Sequence, residues 1–430
     1  MSNEQRRDAG PGMFRSAFIY MGSSVANRAI PFFLLPILTR YMSPEEYGTL
    51  ALFQVCLVLV TPVVDLNISQ NIARKFFGLS KDELAEYIAN ILLILLASFS
   101  LVLIFVSIVT AVTDNILGIP DRWLLAIPLI ALMNMLNKCN LVIFVQEKKP
   151  FHFGLFEVGS AIINMGVSLT LVVGLAMGWQ GRASGLLVTS LVAGLAGLIY
   201  MYARKYIKPS VNRASISEIL SVALPTVPHV LGMILIGFSD RLFIEWMVGT
   251  GEVGLYDVGY KIGMITMLVS DAFFRAWTPW YFKRIIIDDP EVRLAIVRRT
   301  YLFIAGLFAL AAVVTVAARL TLPIMVDEAF LGAQDFVMWI AFAYAARGIY
   351  QMMQFYLLHL GRTKFLPVGT GAAVVVNLVL NYVLIRLNGP VGAAQASLAA
   401  FFVMSFATWW FAARIHPMPW FDFGRILARR

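Results

Sequence analysis

Apolar stretches broken by short polar clusters recur along all 430 residues of the chain. Windows of about 20 or more mostly apolar residues, long enough to cross a bilayer core as a helix, predict twelve spans. They lie near 14–39, 46–73, 84–112, 121–146, 151–177, 182–205, 217–247, 252–281, 293–321, 332–360, 365–387 and 391–414. The connections are short. The longest, Lys208–Glu218 and Lys283–Arg293, are both charged, and neither has room for a soluble domain. Membrane polymerases and glycosyltransferases usually carry catalytic sites on sizeable external loops, so this pattern points away from them.

The pattern also repeats. Asn27–Gly48 (NRAIPFFLLPILTRYMSPEEYG) ends the first span and turns into the second through Ser43-Pro44-Glu45-Glu46. Ser43 as N-cap, Pro44 at the first helical position and Glu46 three residues on spell a capping box. The acidic cluster therefore reads as a helix start, not as acid chemistry. Ser239–Gly263 (SDRLFIEWMVGTGEVGLYDVGYKIG) repeats it less completely. Glu252 answers Glu46 and Gly254 answers Gly48, each 206 positions further on (252 minus 46, 254 minus 48). Lys149–Gly185 resembles Arg362–Ser397, with Asn164 matching Asn377 at 213 positions (377 minus 164). Two close offsets predict a duplicated chain. Its parts are an N-terminal six-helix half over 1–208, a cytoplasmic linker over 209–218 and a C-terminal six-helix half over 219–430.

Composition agrees. The chain is 60% hydrophobic and only 14% charged, with a mean hydropathy of +0.78. Soluble proteins carry about 25% charged residues, so the expected fold class is an all-α polytopic membrane protein. A net charge of +9 could suggest nucleic acid, but its distribution assigns the cations to a membrane surface. Alternate connections carry Arg74, Lys75 and Lys81; Lys148 and Lys149; Arg204, Lys205 and Lys208; and Lys283 to Arg299. The opposite side has only Arg40, Arg122, Arg182, Arg241, Arg319 and Arg386. The bias is roughly four to one and alternates along the twelve spans, which predicts that both termini are cytoplasmic. Six helices per half is an even number, so the halves share one orientation. The N-terminal MSNEQRRDAGPG has no small-residue cleavage site, and the first helix reads as uncleaved. Cys56 and Cys139 both fall within apolar helices, so no disulfide framework is implied.

Ionisable groups inside spans cost at least ~2.5–3.5 kcal/mol each, and each asks for a reason. They include Arg28, Asp65, Lys138, Glu157, Asp240, Arg241, Asp257, Lys261, Asp271, Arg275 and Arg347. The eighth span is the densest: Asp257 and Lys261 are four apart, and so are Asp271 and Arg275, so each pair lies on one helix face. Arg28, Lys138 and Arg347 have no carboxylate within four residues on their own helices. Asp65 and Glu157 could answer them across helices; alternatively the cations hold an anionic ligand. Arginine suits phosphate because its planar fork grips two oxygens, whereas lysine supplies a point charge.

Other polar positions are less specific. Asn134, Asn137 and Asn140 in the fourth span and Gln351 and Gln354 in the tenth suit sugar hydroxyls, and equally suit helix–helix hydrogen bonds. His229, between Pro225 and Pro228, reads as a satisfied interior histidine at a kink, with proton coupling as the alternative. Gly174/Gly178, Gly181/Gly185 and Gly259/Gly263 have the small-xxx-small spacing of close helix contacts. Prolines 31, 36, 62, 128, 225, 228 and 279 predict kinks, as expected of a transporter that rocks one bundle against another. No Walker loop, zinc spacing or Ser-His-Asp arrangement is present.

With these residues in view, LLPILTRYMSPEEYGTLALF (Leu34–Phe53) resembles the opening signature of Wzx-type oligosaccharide flippases. These form part of the polysaccharide transporter branch of the MOP (multidrug/oligosaccharidyl-lipid/polysaccharide) exporter superfamily. Ser239–Gly263 resembles that family's seventh-to-eighth helix passage, and AFFRAWTPWYFKR (Ala272–Arg284) the end of its eighth. Twelve spans fit this branch, while the related lipid II flippases typically have fourteen.

The resemblance implies two six-helix lobes in a V around a cationic cavity, in the cytoplasmic (inner) membrane. It implies a transporter, not an enzyme. The cargo would be an undecaprenyl-diphosphate-linked oligosaccharide, moved to the periplasmic leaflet for O-antigen, exopolysaccharide or another surface glycan. Positions that could supply the cavity are Arg28, Lys138, Arg241, Lys261, Arg275 and Arg347. Asp65, Asp240, Asp257 and Asp271 are the candidate counter-charges or coupling groups. Only Asp240, Arg241, Gly254, Tyr256 and Lys261 carry motif support. No metal or organic cofactor is expected; H+ or Na+ coupling or the membrane potential would drive transport. Expected partners are membrane lipids and the polysaccharide polymerase and chain-length machinery, with no nucleic acid. The competing readings are a multidrug or cation antiporter of the same superfamily and an integral-membrane polymerase or ligase.

Overall fold

The computed structural model describes residues 19–425 apart from 21, 24–29, 31, 288, 363–364 and 423, and leaves out the His229 side chain. The expectations for Arg28 and Pro31, and the side-chain reading of His229, therefore lie outside the described residues. All regular structure among the described residues is helical. The first span is represented by the short apolar helix α1 (Phe32–Tyr41). There follow α2 (Pro44–Asp65), α3 (Ser69–Lys75), α4 (Lys81–Val112), α5 (Asp121–Gln146), α6 (Pro150–Leu169) and α7 (Gly178–Ala203). The chain continues as α8 (Arg213–Ala223), α9 (Thr226–Met247), α10 (Thr250–Gly263), α11 (Ile265–Ile285), α12 (Pro290–Met325), α13 (Gln334–His359), α14 (Leu366–Asn388) and α15 (Val391–Ile415).

Local chemistry sets the helix boundaries. Ser43 and Glu46 exchange the two capping-box hydrogen bonds, both at 3.3 Å. Ser80 and Glu83 do the same at the start of α4, a box not singled out in the sequence. Asn212 caps α8 by accepting from the amides of Ala214 and Ser215, and Asp289 caps α12 ahead of Pro290 at its first position. α14 stops at Gly389, whose φ of +64° lies in the left-handed region that glycine enters freely.

Among the described residues, ten helical segments are long and apolar enough to cross a membrane, against twelve expected. The difference has two sources. Half of the first span falls outside the described residues. The eighth, expected as one helix over 252–281, is two: α10 and α11 meet at a break at Met264, and the charges of this stretch keep it off the apolar count. No proline marks that break; the helix-ending residue is Gly263. A second irregularity is the π-helical turn Thr170–Gly174 that closes α6. Burial follows the membrane pattern. The outer half of α4 leaves Leu101, Phe105, Ile108 and Val112 exposed, whereas its first turns bury Leu84, Ile88, Ile91 and Leu95. Large apolar side chains exposed in rows are what a hydrocarbon solvent permits.

The chain divides into two compact units. Unit 1 comprises Met1–Met42 and Thr49–Leu231, and unit 2 comprises Ser43–Gly48 and Gly232–Arg430. The division thus falls within α9, later than the expected linker 209–218, and the start of α2 belongs to unit 2. In unit 1, α7 packs chiefly on α5 and α6; in unit 2, α15 packs chiefly on α13 and α14. Each unit thus has one helix packed against the two that precede it.

Candidate functional site

The strongest concentration of buried polar chemistry lies in unit 2, where α9, α10, α14 and α15 converge. Successive helix residues point about 100° apart, so the neighbours Asp240 and Arg241 on α9 address different partners. Asp240, fully buried, faces α14 and α15. One carboxylate oxygen accepts from Asn381 Nδ2 at 2.8 Å and Asn377 Nδ2 at 3.4 Å; the other accepts from Ser397 Oγ at 2.6 Å and Tyr256 Oη at 2.5 Å. Ser239 Oγ donates to Asn377 Oδ1 at 2.9 Å and fixes that amide's orientation. Asp240 is thus held by neutral donors only, and among the described residues it forms no ion pair.

Arg241 turns to α10. Its Nε and Nη2 donate to one oxygen of Asp257 at 2.9 and 2.7 Å, and its guanidinium lies 4.1 Å from the Tyr260 ring centroid. Lys261 reaches the other oxygen of Asp257 at 2.7 Å and donates to Tyr47 Oη at 2.9 Å. Tyr260 and Tyr344 share a short hydroxyl–hydroxyl hydrogen bond that ties α10 to α13. Two cations thus share one buried carboxylate, and the Tyr47 hydroxyl and the Tyr260 ring add further contacts to them. Paired in this way they are tolerable in a low-dielectric interior, where an unpaired charge is not.

Close backbone approach places Tyr47. A Cβ on Gly48 would lie 1.9 Å from the Thr250 carbonyl oxygen, and one on Gly254 would lie 2.1 Å from that of Pro44. The first turns of α2 and α10 therefore touch backbone to backbone. The expected glycine pair Gly259/Gly263 seats α10 against Ala333 and Ile340. Gly181/Gly185 packs α7 on Leu171 and Ser168, and Gly174 meets nothing within 4 Å.

The expected site residues separate into three groups. Arg241 and Lys261 are buried and saturated by Asp257, so the open cavity cations expected at these positions are instead members of an internal ion cluster. The spacing of Asp257 and Lys261 predicted their pairing correctly. Lys138 and Arg347 are partly open. Lys138 lies 3.7 Å from Asp65 and donates to Asn67 Oδ1 at 3.2 Å, and Arg347 lies 3.5 Å from Asp271. Here the expectation for Asp271 is corrected: it turns to Arg347 and to Gln351 Nε2 (2.9 Å) on α13, not to Arg275 four residues along its own helix. Arg275 is exposed and makes no ion pair or hydrogen bond among the described residues. Tyr47, Asn381 and Ser397 were not expected. Asn381 sits four residues beyond the repeat-matched Asn377, one turn along the same face, and that spacing could have found it. In unit 1 the matching Asn164 accepts from Arg182 at 2.6 Å, and Ser168 accepts at 2.8 Å. The two copies of the motif thus enclose opposite charges, a guanidinium in unit 1 and a carboxylate in unit 2.

Among the described residues no group of three or more His, Cys, Asp or Glu side chains could hold a transition metal.

Comparison with known proteins gives a consistent result. A protein in the Lsg locus of Haemophilus influenzae is 21% identical over 290 residues, 63% of this chain and 66% of that protein, just under two thirds of its length. An uncharacterized membrane protein of the same organism is 21% identical over 359 residues, 82% of this chain and 85% of that one. An inward-facing multidrug resistance MATE family transporter of the MOP superfamily superposes with a TM-score of 0.65 at 14% identity, over 91% of this chain and 97% of that structure. The lipid II flippase MurJ in an inward closed conformation superposes with a TM-score of 0.67 at 12% identity, over 95% and 89%. These likenesses establish a shared fold. The family model described as "Polysaccharide biosynthesis protein" matches residues 13–284, more than half of the chain. The chain therefore belongs to the polysaccharide biosynthesis protein family, in keeping with the resemblance carried by its Leu34–Phe53 and Ser239–Gly263 segments.

Proposed function

We propose that this protein is a flippase that moves a polyprenyl-diphosphate-linked oligosaccharide from the cytoplasmic to the periplasmic leaflet of the inner membrane by alternating access. The observation that carries this reading is the set of incompletely neutralised cations within otherwise apolar helices. Lys138 and Arg347 each stay partly exposed beside a single carboxylate, at 3.7 and 3.5 Å, and Arg275 has none among the described residues. A diphosphate is the ligand such groups hold best. Arg28 joins them as a fourth candidate from the sequence. Family membership supports the reading, and transport of this cargo calls for no catalytic residue.

Driving force is available. A diphosphate with about two negative charges moves outward down an inside-negative potential, worth ~2.3 kcal/mol per charge per 100 mV. Ion coupling is assigned to Asp240 in preference to Asp65, Asp257 and Asp271, because its hydrogen-bond partners are all neutral and it shares no salt bridge among the described residues. The same buried carboxylate supports cation antiport as the second reading. The polymerase and chain-length proteins are the expected downstream partners.

The deciding experiment locates the lipid-linked oligosaccharide in cells lacking the protein, with a probe confined to the outer leaflet. Accumulation on the cytoplasmic side, rescued by wild type but not by Arg275→Ala, supports flipping. Normal externalisation with an unpolymerised glycan outside moves the role downstream and overturns it. Drug resistance on overexpression with unaltered surface glycan selects antiport.

A further inference from the structure

The outer face of α12 is apolar. Leu302, Val313, Val316 and Leu320, spaced to share one face, are 59–69% exposed, as expected of a surface that meets lipid tails. That surface is not flush. Between α11 and α12 runs a cleft of about 710 Å³ lined by Val269, Phe273, Trp277, Trp280, Phe303 and Leu310. Gly306 stands in its wall with nothing within 4 Å of where a Cβ would be. From Arg299 to Leu310 the cleft follows about 16 Å of helix, more than half of the ~30 Å hydrocarbon core.

At one end the cleft opens into a polar cavity of about 590 Å³ lined by Arg298, Arg299, Arg425 and Glu291; Arg299 and Leu302 line both. Two guanidinium groups flank Trp280, Arg299 at 4.3 Å and Arg284 at 5.2 Å from its ring centroid. Stacking holds Arg299 in place at the junction of the apolar and polar spaces. Neither Arg298 nor Arg299 has a carboxylate partner among the described residues, whereas Arg425 is 3.7 Å from Asp422. This end lies at the Lys283–Arg299 connection, on the cation-rich side of the protein.

We infer that the cleft seats the carrier lipid of the proposed cargo, one polyprenyl chain along α11–α12 with its diphosphate on Arg298 and Arg299. The inference rests on the flippase reading and deepens it by locating where the carrier waits. Charge complementarity selects an anionic headgroup, and a furrow between one pair of packed helices admits a single chain. A polyprenyl carrier has one chain; a diacyl phospholipid has two.

The test uses the full chain in phosphatidylcholine nanodiscs with a C55 polyprenyl diphosphate bearing a diazirine on its chain. Adducts mapped by mass spectrometry are expected within residues 269–280 and 302–310. Gly306→Phe, whose Cβ has open space and whose ring extends into the cleft wall, and the double variant Arg298→Gln/Arg299→Gln each lower the adduct yield by about tenfold. Unchanged yield in both, or equal displacement by phosphatidylglycerol at the same mole fraction or by inorganic diphosphate, overturns the assignment. Movement of the same probe across vesicle membranes separates the two claims. Wild type that transports the probe but yields no cleft adducts overturns the seat alone. Wild type that yields cleft adducts but moves neither this probe nor the native oligosaccharide-linked carrier overturns the flippase reading and leaves the binding site.

Discussion

Gly48 and Gly254, the matching glycines of the two copies of one motif, face each other: a Cβ on Gly254 would come within 3.1 Å of the Gly48 amide nitrogen and 2.1 Å of the Pro44 oxygen. Repeat-related residues thus meet at one contact, as symmetry-related positions do in a self-complementary interface. Glycine is required here because the obstructing atoms are backbone and cannot turn aside.

Gly254→Ala is accordingly expected to destabilise the protein by about 1–3 kcal/mol through overpacking. Gly232→Ala, where a Cβ meets nothing within 4 Å, is expected to be neutral or slightly stabilising. Thermal unfolding in detergent compares the two. Equal melting temperatures would contradict the contact.

Asp257→Asn leaves Arg241 and Lys261 buried without their carboxylate. Removing one partner of a buried ion pair costs about 3–5 kcal/mol, so the variant is expected to accumulate poorly in the membrane. Exchanging Lys261 for Met in the same chain removes one of the stranded cations and restores part of the loss. A double-mutant cycle on expression and melting temperature measures the coupling.

Asp240→Asn keeps the shape of the side chain and much of its hydrogen bonding, so the protein is expected to insert and fold. Transport in vesicles should lose its dependence on an imposed proton or sodium gradient while keeping its response to membrane potential. A variant with the gradient response of wild type would remove coupling from this residue.

Lys138→Gln, Arg275→Ala and Arg347→Gln are expected to lower export by roughly tenfold or more each, the value of one charge-assisted contact, at unchanged membrane levels. Surface glycan measured against protein abundance checks this. The Arg275 change should cost least stability, because that side chain has no ion-pair or hydrogen-bond partner among the described residues.

Outside the spans, Glu147 is part buried between α5 and α6. It accepts from Tyr206 at 2.8 Å, Tyr200 at 3.2 Å and Lys149 at 3.1 Å. Burial alone would raise its pKa, but these hydrogen bonds and the Lys149 charge outweigh it, and the carboxyl ends below its ordinary value. A depressed carboxyl stabilises the fold above its unfolded pKa of about 4.3 and loses that contribution as pH falls through the folded value. Stability of wild type should therefore drop more steeply on acidification below about pH 4.3 than that of Glu147→Gln.

Much of this was legible in the sequence because membrane helices are specified locally. Twenty apolar residues must satisfy their own backbone, so most span positions and helix starts such as Ser43–Glu46 follow from composition and spacing alone. The Asp257–Lys261 pair was also local, since four residues make one helix turn. What spacing cannot supply is the neighbour across the gap. Asp271 had Arg275 on its own face yet pairs with Arg347 on α13. Asp240 gathers Asn377, Asn381 and Ser397 from residues 137 to 157 positions away. Arg241 and Lys261 look alike with Arg275 in sequence, as cations in apolar helices. Only packing buries the first two on one carboxylate and leaves the third exposed, because helix rotation and helix partners are set by the sum of tertiary contacts and not by any residue's own segment.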